Sequence, residues 1–262
     1  MSMFKRMLAS VGIGAAQVDL LLHQEAVRAG DTITGIVRIQ GGRVNQEVED
    51  VYTFLKTRYL QQLNNSNLLM EATIAKIKLA GKFTVEAERT YELPATIQLP
   101  AHTPITLSRT PVWLQTGLEI SEGVDPKDED YLHIRPHPYA ATVLEAIDQH
   151  GLRLRDASCE YSPHYGRPNG QAFIQKFEFV PGPGSPFRDR LAEVDLILYP
   201  REDSINLLLQ IDRKTRGLTG LFAEAMNAEE RFVQLRFTPE QLASGAGSVA
   251  DDFAETIRRH IV

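Results

Sequence analysis

His133 and His137 stand four residues apart in "DPKDEDYLHIRPHP", just after Asp128, Glu129 and Asp130. Imidazole and carboxylate together form a ligand set for zinc and other divalent cations. The spacing works against a shared ion. In an extended stretch the two rings would lie about 13 Å apart, so a common ion needs the chain to fold back at Pro136. The plainer reading is an acidic linker with two surface histidines. The run also lacks the glycine and the closing glutamate of a calcium loop. The expectation is therefore no metal and no cofactor, with His133 and His137 as the only metal candidates.

Cys159 is the single cysteine, so no internal disulfide forms and a reducing, cytoplasmic setting is expected. As a nucleophile it would need an activating base, and His164 in "CEYSPH" is the nearest one. A small buried core residue is the expected role. "DRKTRG" groups Arg213, Lys214 and Arg216. Such a cluster suits an anionic lipid, a phosphoprotein or an acidic partner, or simply solvates a loop between strands.

Other reaction signatures are missing. No GxSxG elbow occurs, and Gly81-Lys82 is followed by Phe83 rather than by the serine or threonine of a phosphate loop. There is no CxxC and no HExxH. The glycines of "EAVRAGDTITGIVRIQGG" flank a strand, Gly30-Asp31 before it and Gly41-Gly42 after it. A phosphate cradle must lead into a helix N-terminus. These glycines lead into strands or turns, where tolerance of positive φ is what matters. The chain reads as a non-enzyme.

Composition sets the frame for the elements. A chain of 262 residues with 43% hydrophobic and 24% charged residues can bury a sizeable core. A net charge of −6 argues against a dedicated nucleic-acid binder. No apolar run approaches the ~20 residues of a membrane-spanning helix.

The start is helical in pattern: Met3, Phe4, Met7, Leu8 and Val11 share one face, and Gly12 and Gly14 close it. The period then becomes two. Val18, Leu20 and Leu22 alternate with polar neighbours, as do Ile33, Val37 and Ile39, then Phe83, Val85 and Ala87, then Val112, Leu114, Leu118 and Ile120. These are half-buried antiparallel strands. "SEGVDPKDED" at residues 121–130 breaks the pattern with Gly, Pro and acids and reads as a hinge. A helix follows, with Ala140, Val143, Leu144 and Ile147 on one face and Gly151 as its stop. Strands then resume through "AFIQKFEFVPGPG", "EVDLILYP", "INLLLQID" and "RFVQLRF". About a dozen strands with turn signals between them mean β-sandwiches. At the end, Thr238-Pro239 reads as a helix start. Val249, Phe253, Ile257 and Ile261 recur every fourth residue, with Ser248 as the expected N-cap.

With these residues placed, the sequence resembles the bacterial sporulation-control proteins. "FKRMLASVGIGAAQVD", "AGDTITGIVRIQGG", "LPATIQLP", "VWLQTGLEI", "DPKDEDYLHIRPHP", "CEYS", "FIQKFEF", "EVDLIL" and "DRKTRGLTGLF" follow in the family's order. The resemblance implies an all-β, arrestin-like fold of two tandem β-sandwiches. It implies a regulatory, non-enzymatic role in bacterial cell-fate or sporulation control. By analogy with that fold class, Asp130, Arg135 and Asp212 would supply ion pairs between domains. The expected division is an N-terminal sandwich over 1–124, a C-terminal sandwich over 125–238 and a helical tail over 239–262.

The expected mode of action is contact with a protein partner, not with nucleic acid. Such contact would use strand addition at an edge or docking of a terminal segment. Met3, Phe4, Met7, Leu8, Arg213, Lys214, Arg216, Phe253 and Ile257 are the residues expected to carry it. The leading helix would otherwise pack on the body, and its small apolar face gives a membrane little purchase. The competing reading is a small-ligand or metal-binding module built on His133 and His137.

Overall fold

The computed structural model describes residues 15–24, 26–64, 66–107, 110–121, 125–214 and 232–261. Met3, Phe4, Met7, Leu8 and Arg216 lie outside the described residues. The chain forms two compact units: Met1–Arg58, Leu69–Thr106 and Thr110–Arg135 in the first; Tyr59–Leu68, Leu107–Arg109 and Pro136–Val262 in the second.

The first unit draws on β1 (Gln17–Leu22), β2 (Ala26–Arg28), β3 (Thr32–Gln40), β4 (Gln46–Leu63), β5 (Ser66–Ala80), β6 (Phe83–Val85), β7 (Thr90–Gln98), β8 (Val112–Ile120) and β9 (Lys127–Arg135). One sheet has the order β1-β3-β7 and is antiparallel throughout. The other runs β4-β8-β9-β2, with β5 and β6 both paired to β4. Ile33, Val37 and Ile39 of β3 are fully buried, as period-two alternation requires. Leu55, Leu114 and Leu118 fill the core from the other sheet. The antiparallel expectation fails where β2 runs parallel to β9 and where Leu60 of β4 pairs in parallel with Glu160.

Of the hinge expected at residues 121–130, Lys127–Asp130 are the start of β9, and 122–124 lie outside the described residues. Lys127–Leu132 pair with Gly117–Val112 of β8, so β9 belongs to the first unit and the division falls after Arg135. The acids there bond as strand side chains do: Glu129 accepts from Gln115 Nε2 at 2.8 Å, and Asp128 from the Leu20 amide at 2.9 Å.

The second unit is a curled antiparallel sheet of β10 (Leu152–Tyr161), β11 (Phe173–Pro181), β12 (Leu191–Pro200), β13 (Ile205–Arg213) and β14 (Val233–Phe237), in chain order. The helix expected near 140–150 is α1 (Pro138–Gln149). His137 caps it by accepting the Tyr139 amide on Nδ1 at 3.2 Å, and Gly151 ends it at φ 66°. α2 is a single turn (Pro163–Gly166) between β10 and β11.

The region from 239 onward is part of this unit. Thr238 and Gln241 form a capping box at the start of α3 (Pro239–Ala243). α4 (Ala246–His260) packs on α1. It begins after Gly245, so Ser248 lies inside the helix and is not its cap. Its apolar face is Val249, Phe253 and Ile257, the last two fully buried. The tail whose Phe253 and Ile257 were expected to meet a partner is a core element.

Candidate functional site

β4 and β5 are the longest strands described, 18 and 15 residues, and they pair with each other. Between them Asn64 takes a left-handed turn at φ 48°, a conformation asparagine tolerates. Across β4 from β5 stands β8, so β4 is an interior strand over most of its length. β5 has β4 on one side. Among the described residues nothing pairs with its other edge.

The charged side chains of β5 turn back onto β4. Glu71 bonds Lys56 at 3.4 Å and Arg58 at 3.5 Å. Lys78 bonds Asp50, and Lys76 lies over the rings of Tyr52 and Phe54 at 5.0 and 5.4 Å. Natural edge strands are usually screened by charges, prolines or bulges. Here Lys76 and Lys78 screen the far half of the strand. The near half, Ser66–Met70, has no charge, and Leu68, Leu69 and Met70 are 43%, 57% and 39% exposed. Three consecutive exposed apolar residues beside unpaired backbone groups can accept another extended chain: the backbone supplies the hydrogen bonds and the side chains supply apolar area.

The residues singled out from sequence are scattered. Phe253 and Ile257 are in the core of the second unit and offer no surface while α4 is folded. Arg213 ends β13, and Lys214 is anchored, its amide donating to the Arg190 carbonyl at 2.7 Å and its Nζ to the Arg188 carbonyl at 2.6 Å. That brings Arg188 and Arg190, distant in sequence, beside Lys214. Cys159 is inward-facing and 3% exposed, as a core residue should be, while the His164 ring packs edge-on to Tyr165.

The metal reading gains no geometry. His133 is in β9 of the first unit, its Nδ1 3.2 Å from Thr106 Oγ1. His137 is spent as the cap of α1 in the second unit. Among the described residues no group of three or more His, Cys, Asp or Glu side chains could hold a metal ion.

Two charge clusters were not visible in sequence, because each is assembled across strands. In the second unit Lys176 reaches Glu178 at 3.1 Å, Asp195 at 3.4 Å and Glu160 at 3.5 Å. Burial works to neutralise this ammonium, but the Glu160, Asp195 and Glu178 carboxylates outweigh it and hold Lys176 above its ordinary range. Burial pushes Asp195 up to about 6 despite Lys176. Arg155 ties Glu178 to Glu193 beside them.

In the first unit burial first, then Asp128 and Asp19, push Asp130 up to about 7. The neighbours that shift Asp130 are carboxylates, not the arginine of an ion pair.

A mostly β chain of two units, each with its own core and one carrying the greater part of an open-edged hairpin strand, defines a tandem β-sandwich protein with a few short helices. No described helix is long and apolar enough to cross a membrane. The chain belongs to the SpoOM protein family, whose model matches residues 4–215. It is 36% identical over 261 residues to the sporulation-control protein spo0M of Bacillus subtilis (strain 168), spanning 97% of this chain and 100% of that one. The crystal structure of Spo0M, sporulation control protein, from Bacillus subtilis matches with a TM-score of 0.82 at 31% identity, covering 94% of this chain and 99% of that one.

Proposed function

We propose that this chain is a non-enzymatic regulator in sporulation control that acts in the cytoplasm by protein contacts. It would take an extended segment of its partner along the open edge of β5. The observation that carries the contact mechanism is the uncharged, exposed strip Leu68-Leu69-Met70 on that edge. The end-to-end similarity to a sporulation-control protein supports the process.

The test is complementation in Bacillus subtilis lacking its own spo0M. The native chain is expected to restore control of spore formation. The double variant Leu69→Lys, Met70→Lys is expected not to, at equal abundance and unchanged thermal stability, because lysine guards an edge without touching a core. Full complementation by the double variant removes β5 from the mechanism. Failure of the native chain, with a partner still captured by the native edge and lost by the variant, would keep the contact and reject the process.

A further inference from the structure

β1 is the edge strand of its three-stranded sheet, so its outward amides have no strand partner in that sheet. Side chains of the other sheet meet them instead. Just before the strand the Ala16 amide donates to Gln46 Oε1 at 2.7 Å, and within it the Leu20 amide donates to Asp128 Oδ2 at 2.9 Å. Asp128 and Asp130 occupy alternate positions on β9, in step with the buried Leu132 and Ile134, so all four point inward.

The surroundings are hostile to two charges. Opposite Asp130 on β8 is Leu114, and opposite Asp128 is Thr116, whose hydroxyl is committed to Thr53 at 3.1 Å. From β1 the charged group that acts on Asp130 is Asp19, a third carboxylate, exposed between the buried Val18 and Leu20. Its cross-strand neighbour Arg38 is tied to Glu92 at 3.0 Å. On β9 itself Lys127 is exposed at the start. His133 and Arg135 lie towards the other end, where β2 contributes Arg28 opposite Arg135. Asp130 Oδ2 is buried with no hydrogen-bond partner. A buried carboxylate with an orphan oxygen is costly, whereas a protonated acid bonded to Asp128 is not.

We propose that Asp128 and Asp130 form a proton-operated clamp on the free edge of β1. With one shared proton, Asp130 donates to Asp128, and Asp128 accepts the Leu20 amide, fastening β1 to β9. When the proton leaves, the charged Asp128 and Asp130 repel each other within the field of Asp19, and the β1 edge is released. The pH sense follows from linkage. A carboxyl raised to about 7 in the closed form binds its proton more tightly there than in the open form. Closure is therefore complete at low pH, weakens as pH rises towards about 7, and levels off above it.

Hydrogen exchange of the Leu20 amide in the full chain tests this, expressed as protection relative to the intrinsic rate at each pH. Protection is expected to fall by several-fold per pH unit from about pH 5 to neutral, with a ceiling of about tenfold per unit for one proton. Asp130→Asn keeps a donor for Asp128 and carries no charge, and its profile is expected to be flat. A native profile that is itself flat, or an Asp130→Asn profile with the native slope, overturns the clamp. Asp19→Asn, on an exposed position, guards against a variant that fails to fold. Removing that charge is expected to move the native midpoint to lower pH, and an unmoved midpoint also overturns it.

Discussion

Gly30 and Gly41 bracket the same strand and look interchangeable in sequence, yet they serve different constraints. Gly30 sits at φ 91° in a turn closed by the Asp31 amide on the Arg28 carbonyl at 3.1 Å. Gly41 is needed for space: a Cβ there would stand 2.1 Å from the Glu86 carbonyl oxygen, which is backbone and cannot swing away. Gly41→Ala is expected to destabilise the first unit by about 1–3 kcal/mol through forced backbone displacement. In urea the midpoint should fall with m unchanged. A midpoint equal to the native one would show that the Glu86 turn moves freely. That these glycines turn the chain rather than bind phosphate was legible from the absence of a following helix. Which of them is steric was not, because the close approach is made by residues more than forty positions away.

α4 shows what an amphipathic pattern can and cannot say. Apolar residues every fourth position announced a helix with one covered face, and the helix is there. The covering surface is α1, a hundred residues earlier, and spacing alone carries no information about it. Phe253→Ala should remove a fully buried ring and cost about 3–5 kcal/mol, read as a lower denaturation midpoint of the second unit. Thr238→Ala, which breaks the capping box of α3, should cost about 1 kcal/mol. A loss from Phe253→Ala no larger than that of the cap variant would mean that α4 is only loosely seated.

The β4–β5 hairpin was the element hardest to see. Period-two reading requires one polar face, and in β4 the neighbours Val51, Tyr52, Thr53 and Leu55 are all buried, so apolar and polar residues do not alternate. β9 was hidden by the opposite problem. Its inward positions carry Asp128 and Asp130, and an acidic run ordinarily marks a solvated linker.

The whole chain contains two native reporters, one in each unit. Trp113 is the sole tryptophan, 1% exposed in the first unit, and Cys159 is the sole cysteine, 3% exposed in the second. A chain cut after Gly245 loses α4, and with it the buried Val249, Phe253 and Ile257 that lie against α1. The second unit then loses the helix that packs on α1, whose Val143, Ala146 and Ile147 are fully buried in the intact chain. The truncated chain is expected to react with a thiol reagent at Cys159 at least about tenfold faster than the intact one, because local stability falls where a core layer is removed. The emission of Trp113 should stay at its native wavelength. Its ring stacks on Tyr131 of β9 and lies under the Arg58 guanidinium of β4, strands that contain no residue from beyond Gly245. Slow labelling in the truncated chain would mean that the sheet protects Cys159 without α4. A red-shifted Trp113 would mean that both units unfold as one cooperative body. The same measurement decides how a loss of partner binding on truncation is to be read. If Cys159 is labelled, the loss reports an unfolded unit and not a docking helix.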